Sequence, residues 1–164
     1  MIKELSEKEI EALRRDTFAK GGVFEKLVVD LFPEKVFALI YATTTREDLN
    51  GRKVESAKNP DFQFQHRPTG HKFWVECKYR KSLFKKKLHW CEPWQFDRYK
   101  KFQEDIRPQK VFVVMGKGGN PNTPDEMYCM PLDEIKYPAL YPSVLEPYKR
   151  PVDKSFWYNG GRLK

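Results

Sequence analysis

"NPDFQFQHRPTGHKFWVECKYRK", residues 59–81, decides how this chain reads. Aromatic and apolar strand-like residues run on both sides of Arg67-Pro68-Thr69-Gly70. Proline in the second turn position and glycine in the fourth form a common turn signature. With the reversal centred between Pro68 and Thr69, Gln65 faces Lys72, Gln63 faces Trp74 and Asp61 faces Glu76. Residues opposed in this way have Cβ atoms about 5 Å apart. Two like charges placed there repel, and a divalent cation between them is the simplest remedy, because hard cations take carboxylate oxygens. Side chains alternate along a strand, so Lys78 shares a face with Glu76, while Phe73, Val75, Cys77 and Tyr79 point into a core. A one-residue slip would separate the two carboxylates. The same residues also fit a surface hairpin with ordinary solvated charges.

Working outward, "PWQFDRYKKFQEDI" follows a basic connector, "SLFKKKLHWCE". Pro93 suits a first helical turn, and the helix should stop before Pro108. "KVFVVMG" reads as a buried strand, "GKGGNPNTPDE" as a loop and "MYCMPL" as a last strand. On the other side, Ser6 and Glu9 form a capping pair for a helix to about Lys20. Gly21-Gly22 interrupts it. "VFEKLVVDLFP" then gives a second helical piece, with Val23, Phe24, Leu27, Val28 and Leu31 inward and Pro33 closing it. "KVFALIYATT" reads as a strand and "REDLNGRKVESAKN" as a polar loop. Residues 133–164 carry several prolines and suggest short helical turns and a loosely attached tail. The order is helix, strand, hairpin, helix, strand, strand. It predicts an α/β fold with a mixed central sheet flanked by helices.

At 164 residues the chain should be one domain, with its core over about 20–132 and an extension over 133–164. The formal charge of +8 points to a polyanionic partner. Cys77, Cys91 and Cys129 are odd in number and widely spaced, which fits neither a disulfide framework nor a zinc site. No signal-like start is seen, and the longest apolar run, "VFALIYA", is too short to span a bilayer. A cytoplasmic protein is expected, with no membrane partner. Two carboxylates holding a metal beside a lysine, in a basic protein, suit phosphodiester hydrolysis. A metal can acidify a bound water and polarise a phosphoryl oxygen, and a lysine can stabilise charge on the phosphate.

Pro60-Asp61, followed at hairpin spacing by Glu76-Cys77-Lys78, resembles the signature of the PD-(D/E)XK nuclease superfamily, the restriction-endonuclease-like fold. Glu25 matches the acidic residue such nucleases often carry on the helix before the first core strand. Gln95 and Tyr99, four apart on the helix after the lysine strand, resemble the glutamine and tyrosine of the RecB-like subgroup. The match covers roughly residues 20–116. The resemblance implies a three-layer core and a Mg²⁺- or Mn²⁺-dependent deoxyribonuclease. It implies that Asp61, Glu76 and the Cys77 carbonyl hold the metal, that Glu25 supports it directly or through water, and that Lys78 is catalytic. Gln95 and Tyr99 would orient DNA phosphates or the lysine. DNA is the expected partner, RNA a second candidate polymer, and a homodimer is allowed. The alternative is a nucleic-acid-binding module that keeps the fold and does not cut.

Other features carry two readings each. Arg80, Lys81, Lys85, Lys86 and Lys87 either contact phosphates or form a solvated basic loop. Trp90 and Trp94 either stack on bases or pack in the core. His66 and His71 flank the turn and are expected to be solvated. "GKGG" lacks the spacing of a phosphate-binding loop and reads as a turn.

Overall fold

The computed structural model describes residues 22–43, 45–47, 53–55 and 59–164, together with Ser6 and Lys8. The helix expected from Ser6 to about Lys20 lies outside the described residues. The remaining architecture is α/β. A mixed six-stranded sheet runs in the order β1 (Phe37–Ala42), β4 (Phe62–His66), β5 (Lys72–Arg80), β7 (Lys110–Lys117), β8 (Glu126–Pro131) and β10 (Lys149–Arg150). Among the described residues of this sheet only the β5–β7 pair is parallel. Its crossover is α2 (Pro93–Ile106), as a parallel pair requires a long connection.

The central strands are buried on both faces, so their side chains divide between two cores. Phe73, Val75 and Cys77 of β5, with Phe112 and Val114 of β7, pack against Phe24, Val28 and Val29 of α1 (Val23–Asp30). Trp74 of β5, with Val111, Val113 and Met115 of β7, packs against Tyr99 of α2, with Phe96, Phe102 and Ile106 at its margin. One helix therefore covers each face, which is why β7 reads as an uninterrupted apolar run rather than an alternating one.

The α1 helix faces the sheet slightly differently from its expected orientation. Val23 is 43% exposed, and Val29 takes its place in the core. Leu27 and Leu31 sit at the core margin. The α2 helix matches its sequence signals. Pro93 opens it, Glu92 and Gln95 form a reciprocal capping box, and it ends at Ile106.

Several segments carry more structure than the sequence suggests. The polar loop contains a small hairpin, β2 (Thr45–Glu47) with β3 (Lys53–Glu55). Within the basic connector, β6 (Leu88–His89) pairs with β9 (Ala139–Leu140). The strand after the "GKGG" turn is not the last, because β9, β10, β11 (Tyr158–Asn159) and β12 (Arg162–Leu163) follow, interrupted by α3 (Pro142–Leu145).

The C-terminal segment is not a loose tail. The Phe156 ring stacks on Phe32 at 4.4 Å, and Phe32 stacks on Phe64 at 4.1 Å. The Phe156 amide donates to the Leu31 carbonyl at 2.8 Å. Tyr158 stacks on Phe73 at 5.3 Å and also packs on His66. That cover buries His66, which is 8% exposed, and desolvation lowers its pKa. The solvated-histidine expectation is corrected for His66, while His71 stays exposed beside the Tyr158 hydroxyl. Among the described residues no helix is long and apolar enough to cross a membrane.

Candidate active site

The hairpin register is the expected one. Phe62 pairs with Val75, Gln63 with Trp74, Phe64 with Phe73 and Gln65 with Lys72. The turn closes through the Gly70 amide on the His66 carbonyl, with Gly70 at φ +75°, a left-handed conformation that glycine adopts without cost. Continued by one step, this register sets Asp61 opposite Glu76.

At that step the two strands part. The Asp61 carbonyl turns away to accept from the Thr43 amide at 2.7 Å, and the Pro60 carbonyl accepts from the Thr43 hydroxyl at 2.8 Å. The Cys77 amide, which a longer β4 would have satisfied, instead donates to Asp61 Oδ2 at 2.8 Å. In return the Asp61 amide donates to Glu76 Oε2 at 3.2 Å. The splayed strand end thus uses the Asp61 carboxylate as its last ladder acceptor, and this fixes that side chain beside Glu76. Within a strand, the N–H and C=O of one residue point to the same neighbour. The Cys77 carbonyl therefore opens toward the Asp61 side, as a metal ligand there requires.

Glu76 is 5% exposed. Its Oε1 accepts from the Tyr99 hydroxyl at 2.8 Å and lies 3.3 Å from Lys78 Nζ. Lys78 Nζ also sits 5.6 Å from the centre of the Tyr99 ring. Strand alternation puts Glu76 and Lys78 on one face, as expected, and α2 supplies Tyr99 from above. Glu25 stands in the first turn of α1. Its charge acts on Asp61, and the Lys78 charge acts on it, so the four expected central residues share one electrostatic neighbourhood.

Burial raises the pKa of all three carboxyls. For Asp61 the rise is large, from desolvation first and then from the Glu76 charge, with the Cys77 amide opposing it. For Glu76, desolvation outweighs the relief given by Lys78 and Tyr99. For Glu25, desolvation again dominates. When ionised, Asp61 and Glu76 repel each other, and the Glu25 charge adds to the repulsion at Asp61. A divalent cation offsets this repulsion, and the donor set is the all-oxygen type that Mg²⁺ prefers. Among the described residues no group of three or more His, Cys, Asp or Glu side chains is placed to hold a metal ion. An ion held by one or two carboxylates and several waters needs no such group.

The thiols contribute no nucleophile. Burial raises Cys77 well above the ordinary range and pushes Cys91 up to about 12, so both remain protonated. All three cysteines are free and buried.

The remaining expected residues lie around this centre in different roles. Gln95 Oε1 accepts from the Glu92 amide at 2.9 Å, so its oxygen caps the helix rather than facing Lys78. Arg80 donates to the carbonyls of His89, Trp90 and Tyr79, fastening the connector to β5. Lys81, Lys85 and Lys86 are exposed. Trp90 is fully buried and stacks on Tyr99 at 5.7 Å, whereas Trp94 is 59% exposed. Arg98 was not singled out from the sequence. Its guanidinium lies between the rings of Trp94 (5.3 Å) and Tyr99 (5.6 Å). The i, i+4 spacing of Trp94 and Arg98 on a helix was the signal available.

One glycine sets the position of α1. A Cβ on Gly116 would overlap the Phe24 ring, which neighbours Glu25. Gly116→Ala should therefore shift α1 and lower stability by about 1–3 kcal/mol, the usual cost of overpacking. Urea denaturation measures it, and an unchanged midpoint would show that Phe24 yields freely. No protein-family model matches this chain, and no curated protein shows significant similarity to it.

Proposed function

We propose that this chain is a metal-dependent nuclease that hydrolyses phosphodiester bonds in DNA, built on a restriction-endonuclease-like fold. The observation that carries the reading is the arrangement at the splayed strand end. Asp61 is pinned by the Cys77 amide, Glu76 lies beside it, and Lys78 sits 3.3 Å from Glu76. The finer fold assignment is supported by the order α1, β1, β4, β5, α2, β7, with Glu25, Glu76, Lys78 and Tyr99 on the elements that the resemblance calls for and Asp61 immediately before β4.

Asp61, Glu76 and the Cys77 carbonyl would hold Mg²⁺ or Mn²⁺, with Glu25 supporting it directly or through water. When bound, the ion would acidify a water and polarise a phosphoryl oxygen. Lys78 presents its ammonium to the same space and offsets charge developing on the phosphate. Tyr99 is a positioning residue, because its hydroxyl holds Glu76 Oε1 in place. Hydrogen bonds that orient a ligand in this way tune its affinity and activity. Incubating labelled single-stranded, duplex and branched DNA with the purified protein, with and without Mg²⁺ or Mn²⁺, tests the assignment. Absence of metal-dependent cleavage on every substrate would move the chain to a non-cutting nucleic-acid-binding module.

DNA association should depend on the basic connector. Reversing the charge of Lys85, Lys86 and Lys87 together should weaken binding and flatten its salt dependence, since each phosphate contact adds roughly one to the slope. Anisotropy titrations across a salt series measure both quantities. Unchanged affinity and slope would make the segment a solvated loop.

A further inference from the structure

We propose that the surface built around Trp90 is a stacking platform for an unpaired DNA strand, so that the substrate of the site is single-stranded rather than uninterrupted duplex DNA. This deepens the nuclease reading above and rests on it for the chemistry.

Trp90 joins three segments. Its ring stacks on Tyr99 and contacts Phe96 of α2. Its indole N–H donates to the Tyr137 carbonyl and its amide to the Pro138 carbonyl. Its own carbonyl is held by Arg80. Around this buried hub stand aromatic rings that the fold leaves in water: Phe84 is 61% exposed, Trp94 59% and Tyr141 50%. Each has a cation over its face. Lys85 Nζ lies 5.5 Å from Phe84, Arg98 lies 5.3 Å from Trp94, and Lys87 Nζ lies 4.7 Å from Tyr141.

A single strand alternates an exposed base face with a phosphate. Rings interleaved with cations match both halves of that repeat. Bases within a duplex are already stacked on one another and offer these rings nothing, and phosphate contact alone would need only the cations. The tip of the connector strengthens the case. Phe84 and Lys87 exchange backbone hydrogen bonds across a two-residue turn in which Lys85 and Lys86 have φ of 49° and 66°. Such a turn is normally filled by residues such as Asn-Gly. Two lysines there hold a strained conformation, Lys85 with its ammonium over Phe84 and Lys86 exposed beside it in sequence. Continuity with the site comes from β5. Glu76, Lys78 and Arg80 share one strand face, and Arg80 ties the platform to that strand.

The test is anisotropy with a labelled oligothymidine and a duplex of equal length, in EDTA so that nothing is cut. Wild type should bind the single strand more tightly than the duplex. Phe84→Ala, Trp94→Ala and Tyr141→Ala should each weaken single-strand binding about fivefold or more, with little change for duplex. These side chains are exposed, and a far-ultraviolet spectrum confirms that each variant is folded. If wild type prefers duplex, or if the three variants bind the single strand as wild type does, the platform is refuted. The two readings fail separately. Wild type that cuts while the aromatic variants bind normally removes the platform alone. Wild type that never cuts, while those variants lose single-strand affinity, supports the platform and removes the nuclease.

Discussion

Lys78→Ala is expected to lower DNA cleavage about a hundredfold or more while changing DNA affinity only modestly. The magnitude follows from the role proposed for the ammonium, since one well-placed electrostatic contact to a transition state is worth about that much. Binding should survive because one phosphate-facing charge among many is lost. The fold should also survive. The Lys78 side chain is 16% exposed and contributes an ion pair, not core packing. A purely structural lysine would behave differently, so the pH profile separates the two cases. The Lys78 charge holds down the pKa of Glu76, Glu25 and Asp61. Removing it should move the acid limb of whatever cleavage remains to higher pH. Lys78→Arg keeps a positive charge and should leave that limb near its wild-type position, with a rate between the two. Cleavage by Lys78→Ala at the wild-type rate would assign the activity to another site or to a contaminant.

The parts of this molecule that were legible in sequence are those whose determinants are local. The turn residues set the hairpin register, and with it the placement of Asp61, just outside β4, beside Glu76. Pro93 and Pro108 bracketed α2. The strand interiors of β5 and β7 declared themselves by composition. What was not legible depends on distant partners. Nothing near Phe156 indicates that its ring will stack on Phe32, a contact between the two ends of the described chain. The burial of His66 depends on Tyr158, far along the sequence. Strands of two or three residues, such as β6 and β9, are too short to show any period. Gln95 shows the limit of matching by position. It stands where the resemblance places it, yet its oxygen completes a helix cap, a competing use of the same side chain. Tyr99, one turn on, reaches Glu76 instead of the lysine alone.

Glu76→Ala should abolish metal-dependent stabilisation and cleavage together, and the pH dependence of that loss follows from burial. Asp61 and Glu76 carry raised pKa values in the fold, with desolvation the first cause for both and the Glu76 charge adding to it at Asp61. In the unfolded chain both titrate near about 4. A carboxyl whose folded pKa is raised binds its proton more tightly when folded. The contribution of these two groups to metal-free stability is therefore greatest at acid pH, and it falls as pH rises from the unfolded carboxyl range through the raised folded values. Mg²⁺ or Mn²⁺ competes with those protons, so its stabilising effect should grow over the same interval. At a metal concentration about a hundredfold above Kd, the gain is about 2.7 kcal/mol, which for a chain of this size raises Tm by about 5–10 °C. Asp61→Asn is the sharper control. Its amide oxygen can still accept from the Cys77 amide, so the strand end keeps its last hydrogen bond while the charge is lost. Its metal-free Tm should vary less with pH than that of wild type, and Mg²⁺ should raise it little. Scanning calorimetry at several pH values, with and without metal, checks both effects. An equal metal-induced shift in wild type, Asp61→Asn and Glu76→Ala would place the ion elsewhere, and the two opposed carboxylates would then be an ionisable cluster held for some purpose other than a metal.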